Sequence, residues 1–358
     1  MTFRLQRLSP VLLSLVVSLL WLQPLQAVDQ VFRKSSKTPI RGKVTSVTRT
    51  GVSIKPQVGA DVAVAANDIQ EIRWNGEPVK LITARSSDRA GRFERALTIY
   101  TEVQSDPKAG AANIKLDLQF LIARTTARQA LAGIGKLEDA QGKLKDFLTA
   151  GTSSFRYFDA VNLLGQVQLG AGEFDAAKAQ FAGLAKAPWT DYQLAGQSAL
   201  ARVLLAQDNV DGALAAFQQV INKSQKAQSP AEVNQRYQAV LGKSACLIRK
   251  KGQASFEAAL KDLAVVLSGA ANENAEVLAE GYLRQGDCLR LLGRHKEAVL
   301  AYLHVDLLFA GEPAQHAEAL FRLGPLWSAV GQPERAARAR ERLRSDYPQS
   351  SWTKKLGS

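Results

Sequence analysis

Four decapeptides in this chain share one plan: "GRFERALTIY" (91–100), "GEFDAAKAQF" (172–181), "GRHKEAVLAY" (293–302) and "GQPERAARAR" (331–340). Each opens on Gly and places Ala five residues later, and three of the four place an aromatic nine residues on. Stepping four and seven residues beyond the Ala exposes an apolar stripe that recurs seven times along the chain. Its members are Ala96, Tyr100 and Val103; Ala140, Leu144 and Phe147; Ala177, Phe181 and Leu184; Ala213, Phe217 and Val220; Ala259, Leu263 and Val266; and Ala298, Tyr302 and Val305. The seventh, Ala336 with Leu343, carries Arg340 in the middle place. Offsets of four and seven put three side chains on one helical face. An Ala-rich helical bundle matches such a pattern here and there, but not in phase along the whole chain.

The residue types have physical reasons. Two helices approach closely only where the contact side chain is small, which selects Ala, and the large residue one turn later fills the gap beside it. The leading Gly adopts turn conformations that a Cβ penalises. Each stripe therefore needs a partner helix upstream. "AVNLLGQVQLGAG" (160–172), "AEGYLRQGDCLRLLG" (279–293) and "AEALFRLGPLWSAVG" (317–331) supply one, with Gly165, Gly286 and Gly324 each seven residues before the turn Gly. "SALARVLLAQD" (198–208) and "QAVLGKSACLIRKKG" (238–252) are variants of the same spacing. The units recur roughly every 40 residues against ~34 for a minimal helical hairpin, so longer helices or linkers are expected around 104–115 and 222–232.

This pattern resembles the tetratricopeptide repeat (TPR) family over residues 79–350. The match is clearest at Tyr282, Gly286, Leu289, Gly293, Ala298 and Tyr302, and again at Leu320, Gly324, Trp327, Gly331, Ala336 and Pro348. The resemblance implies an α-solenoid of six to seven helical hairpins, curved into a superhelix whose concave face takes partners. Family positions on that face map to Asn162, Gln166, Arg202, Arg236, Lys243, Asp287 and Arg290. Arg202, Arg236 and Lys243 would make mid-groove cationic, suited to an acidic peptide segment or a carboxyl terminus. The plainer alternative is ordinary exposed helix charge. The dicarboxylate clamp of chaperone-binding members is not reproduced. "DYPQSSW" (346–352) resembles periplasmic TPR proteins of the cell-division coordinator type.

Other segments have a different texture. Arg4 and Arg7, the apolar run "VLLSLVVSLLWL" (11–22) and small Ala27 make residues 1–27 read as a secretory signal peptide, too short in its apolar part to span a bilayer. Residues 28–78 alternate in "GKVTSV", "GVSIKP", "ADVAVAA" and "IQEIRW", four or five short strands of a small barrel or curled sheet resembling SH3-like or Sm-like domains. Asn75 to Pro78 mark its boundary with the helices, and 351–358 form a tail.

The chain carries 46 Lys and Arg against 33 Asp and Glu. In the first 61 residues Arg33, Lys34, Lys37, Arg41, Lys43, Arg49 and Lys55 fall between Asp29 and Asp61 without one acid. They suit either solvated edge strands or an anionic wall polymer or membrane surface. Export disfavours nucleic acid as the polyanion, as does the lack of interleaved stacking aromatics. Cys246 and Cys288 are the two cysteines, and a disulfide between them is left open. His295, His304 and His316 lack metal-ligand spacing and are expected at exposed or cap positions. "LGKSA" (241–245) and "GAGEFD" (170–175) lack the remaining glycines of phosphate-binding loops, and no nucleophile elbow or zinc-protease motif occurs.

No cofactor is expected. The sequence points to an exported, non-enzymatic adaptor for protein or peptide partners in the cell envelope. The alternatives are a wall- or membrane-surface binder using the basic β domain and, remotely, an enzyme with acids scattered over the solenoid.

Overall fold

The structure is a computed structural model and describes residues 28–271 and 274–357. The signal-type segment 1–27 lies outside the described residues. The chain opens with five antiparallel strands: β1 (Asp29–Arg33), β2 (Ser36–Thr48), β3 (Gly51–Pro56), β4 (Val62–Ala65) and β5 (Ile69–Arg73). Their order is β4-β3-β2-β1-β5. Long β2 pairs with β1 through its first half (Asp29 opposite Gly42) and with β3 through its second (Thr48 opposite Gly51). Register shifts between Val31 and Arg33 and between Val44 and Ser46 add local twist and curl the sheet. A 3₁₀ turn at Ala66–Asp68 joins the two edge strands. The first strand, "DQVFR", does not announce itself by alternation because Val31 is its one fully buried apolar residue.

Fourteen helices follow as seven antiparallel hairpins. They are α1 (Lys80–Arg89) with α2 (Phe93–Gln104), α3 (Ala112–Leu131) with α4 (Leu137–Ala150), α5 (Tyr157–Gly170) with α6 (Phe174–Leu184), and α7 (Thr190–Ala206) with α8 (Val210–Lys223). Then come α9 (Pro230–Lys250) with α10 (Gln253–Gly269), α11 (Ala275–Leu291) with α12 (His295–Leu308), and α13 (Pro313–Ala329) with α14 (Pro333–Asp346). A last short helix, α15, spans Ser351–Lys354. The surplus over a minimal repeat goes mostly into helix length: α3 has 20 residues and α9 has 21.

All seven stripe alanines are fully buried on the second helix of their hairpins, each beside the large residue one turn on. Gly165 shows why small and large are coupled: a Cβ there would stand 2.5 Å from the Phe181 ring of the same hairpin. Gly286 and Tyr302 repeat the arrangement at 2.6 Å.

The sheet and the solenoid share a core. Val31, Ile54, Val64, Ile69 and Ile72 meet Leu81 and Ala84 of α1, Tyr100 and Val103 of α2, and Leu118 and Leu121 of α3. Buried ions reinforce this junction. Arg85 bonds Glu77 at 2.6 Å, Asp117 at 3.3 Å and the Ile72 carbonyl at 3.3 Å. Arg128 reaches Asp88 at 2.9 Å, and Arg156 reaches the Gln70 carbonyl at 3.2 Å.

The array curves so tightly that its ends touch. The α1–α2 turn at Gly91 abuts Gly311 before α13, and the α3–α4 turn at Gly133 abuts Ser350 before α15. Ile134 packs into the apolar cluster of the last two hairpins.

Candidate functional site

The first helices of successive hairpins line the inner face, as the resemblance implies, but that face has two unlike halves. In one half the chain folds back on itself. The α15 residue Trp352 lies 5.1 Å from the Phe321 ring and 5.0 Å from the Arg322 guanidinium, both on α13. A cavity of about 420 Å³ here is bordered by Leu205, Arg249, Arg284, Arg290, Glu318 and Trp352.

Most of its charges are paired. Arg284 bonds Glu280 at 2.8 Å, Asp287 at 2.6 Å and Glu318 at 2.8 Å. Burial works against the Arg284 charge, but these three carboxylates outweigh it and hold the guanidinium above its ordinary range. Asp287 also accepts from the Tyr302 hydroxyl at 2.8 Å and is 2% exposed. It borders this cavity, as the family position suggested, with its carboxylate already held by Arg284, Arg322 and Tyr302. Arg290 does border the cavity, and its Nε has no hydrogen-bond partner among the described residues.

The other half is chemically different. Asn162 and Gln166 of α5, Ser198 and Arg202 of α7, and Asn234 and Gln238 of α9 converge on a cavity of about 440 Å³. Leu131, Phe181 and Glu276 also border it. Four of the six converging polar side chains are neutral amides, each able to donate and accept. Arg202 donates to Gln238 Oε1 at 2.6 Å. The Ser198 hydroxyl and the Asn234 carbonyl oxygen are buried without a protein partner, an arrangement that costs stability unless something else bonds them. Asn162, Gln166 and Arg202 were legible as site residues; Ser198, Asn234 and Gln238 were not singled out. A signal existed: 162, 198 and 234, and likewise 166, 202 and 238, are each 36 residues apart. One polar pair at i, i+4 thus recurs in three successive first helices.

Two expected groove cations are elsewhere. Arg236 donates to the Ser224 and Gln225 carbonyls at the end of α8, at 3.3 and 3.2 Å. Lys243 pairs with Asp262 of α10 at 2.9 Å. The middle of the groove is consequently not the cationic strip that Arg202, Arg236 and Lys243 together would make.

The basic residues of the sheet also divide. Arg49 donates to the Thr152 carbonyl at 3.0 Å and stacks 3.8 Å from the Tyr157 ring, tying the β2–β3 turn to α5. Lys34 lies 6.0 Å from the Tyr192 ring, and Arg33 is half-buried. Lys37, Arg41, Lys43 and Lys55 are exposed.

Cys246 and Cys288 are free and buried in separate clusters, so the disulfide left open by the sequence is absent. Burial pushes their thiols up, to about 11 and about 12. His304 is exposed and stacks on Tyr282 at 4.3 Å. His316 departs from expectation: it is buried, bonded to the Tyr347 hydroxyl at 2.7 Å and to Asp306 at 2.8 Å. Among the described residues no cluster of three or more His, Cys, Asp or Glu side chains could hold a metal ion, and no helix is long and apolar enough to cross a membrane.

No family model matches the chain, and no curated protein matches it. Solved structures do. A Rap protein complexed with competence and sporulation factor is 18% identical, with a TM-score of 0.51 over 78% of this chain and 77% of its own. The apo form of RapI is 15% identical, with a TM-score of 0.42 over 77% and 79%. A tetratricopeptide repeat protein from Parabacteroides merdae is 15% identical, with a TM-score of 0.44 over 74% and 91%. At such identities the likeness establishes the fold alone.

Proposed function

From a tetratricopeptide-repeat solenoid as the premise, we propose that this chain is a non-enzymatic scaffold holding an extended segment of a partner protein across α5, α7 and α9. The observation that carries this is the polar pair repeated on three neighbouring helices, with the Ser198 hydroxyl and the Asn234 carbonyl oxygen unpartnered among the described residues. Packed helices stand ~8–10 Å apart, and an extended chain advances ~3.3 Å per residue. Each polar pair therefore falls beside about every third residue of such a segment, where the amides of the outer two match backbone C=O and N–H groups. Recognition of this kind reads the backbone first. Arg202 and Glu276 add one charge of each sign, so the groove favours a near-neutral segment over a strongly acidic one. The similar Rap protein is complexed with competence and sporulation factor, which supports a ligand-holding role here. The leader-like residues 1–27 support a location in the cell envelope.

Selection from a random-peptide display library tests the groove. Selected peptides should lose about tenfold or more in affinity when Gln166 and Gln238 are both changed to Ala, since each hydrogen bond contributes ~0.5–1.5 kcal/mol, with circular dichroism unchanged. Peptides that bind the double variant as well as the parent would place the site elsewhere. Amino-terminal sequencing of the protein recovered from cells checks export: processing after Ala27 is expected, and an intact Met1 would contradict it.

A further inference from the structure

The outer face of the β-sheet carries unbalanced positive charge. In β2, Ile40 and Val44 pack toward the core, which turns Lys37, Arg41 and Lys43 outward. In β3, Val52 and Ile54 are buried and Lys55 faces out. Lys43 and Lys55 are direct cross-strand partners. Like charges directly opposite each other destabilise a strand pair, so the β2–β3 pairing does not itself call for them. The β3–β4 ladder stops at Ile54 and the β2–β3 ladder starts at Gly42, so Lys37, Arg41 and Lys55 flank short open edges, but guarding those edges does not require a lysine directly opposite another.

Of the neighbouring acids, Asp61 is exposed in the β3–β4 loop without an ion pair among the described residues, and the others are engaged elsewhere. Asp29 accepts from the Val44 and Asn75 amides at 2.8 Å each. Glu71 is held by Arg73 at 2.8 Å and Arg89 at 2.9 Å, Asp68 by Ser35, and Glu77 by Arg85. Lys37, Arg41, Lys43 and Lys55 make no ion pair with any described residue. Three residues beyond Lys55, in the β3–β4 loop, Val58 is 91% exposed. An apolar tip beside a cationic face gains nothing from a soluble polyanion, but it gains from the headgroup boundary of a bilayer.

We propose that this outer sheet face, through Lys37, Arg41, Lys43, Lys55 and the Val58 tip, docks the protein on an anionic phospholipid surface. The inference is independent of the inner groove and leaves it free. The test uses the chain from Val28 onward, which retains every described element, in co-sedimentation with vesicles of phosphatidylcholine alone or mixed with phosphatidylglycerol. Binding should require phosphatidylglycerol and weaken steeply with salt. The double variant K43Q/K55Q should bind about thirtyfold less tightly, which is two lysines at about 1 kcal/mol each. V58S should weaken binding at fixed charge. K43E, which turns the like pair into an opposite one, should melt no lower than the parent while binding less.

Undiminished binding of K43Q/K55Q overturns the proposal. So does the pattern in which V58S binds as the parent does and soluble dextran sulfate competes as well as vesicles do, which identifies an anionic polymer as the ligand instead.

Discussion

Gly133 and Gly293 sit in equivalent turns of two hairpins, at φ +74° and +76°, yet they bear different loads. Nothing lies within 4 Å of a Cβ added to Gly293, whereas one added to Gly133 would stand 2.5 Å from the Ser350 Cα. Gly293→Ala therefore costs only the left-handed conformation, ~1–2 kcal/mol. Gly133→Ala adds an overpacking cost of another ~1–3 kcal/mol at the junction of the two ends. Chemical denaturation of both variants checks this, and equal losses would mean the Ser350 contact carries no weight.

The need for positive φ made most turn glycines legible in the sequence. It did not reveal that Asp208 takes the same conformation at φ 63° without being Gly. The Gly133–Ser350 contact was invisible for another reason: it joins residues far apart in the chain, and no local pattern encodes it.

Pairs of helices show the same logic one level up. Ala normally exceeds Gly inside a helix by about 1 kcal/mol, but Gly165→Ala would drive its methyl into the Phe181 ring. The substitution should destabilise by ~1–3 kcal/mol, and Phe181→Leu in the same chain should recover part of that loss. In the last hairpin Arg340 replaces the aromatic, and a Cβ at Gly324 would meet its flexible Cγ at 3.3 Å. Gly324→Ala should therefore be neutral or stabilising. Melting curves of the three proteins decide the point, and a Gly165→Ala as stable as the parent would contradict it.

The Gly–Ala–aromatic stripe was readable because backbone proximity restricts side-chain size at each crossing. The groove was half readable. In α9 the glycine at 242 lies against Phe217 of the preceding hairpin rather than against its own, with a Cβ distance of 2.3 Å. That altered register accompanies the departure of Arg236 and Lys243 from the inner face, so family positions carried over by spacing alone fail on this helix.

For the whole molecule, the buried ions at the sheet–solenoid junction and near the last hairpin set the response to acid. Burial alone would raise the Glu71 carboxyl, but Arg85, Arg73 and Arg89 hold it below its ordinary value. Asp306 is likewise buried, and His316 and Arg342 bring it below the usual range. A carboxyl lowered in the folded state adds stability above its unfolded pKa, and that addition disappears as pH falls through the folded value. Thermal stability should thus hold near neutrality and drop once pH passes below the ordinary carboxylate range of about 4. Glu71→Gln should flatten part of that decline. Melts across pH measure it, and a melting temperature that climbs on acidification would contradict the account.

A stack of repeats is usually a one-dimensional object, in which each unit leans only on its neighbours and the terminal units fray first. Here the first turns rest on the last, at Gly91 with Gly311 and Gly133 with Ser350. Among the described residues the helical array has no loose end from which to unzip: the outermost hairpins protect one another, and rupture anywhere in the circle is shared by the whole.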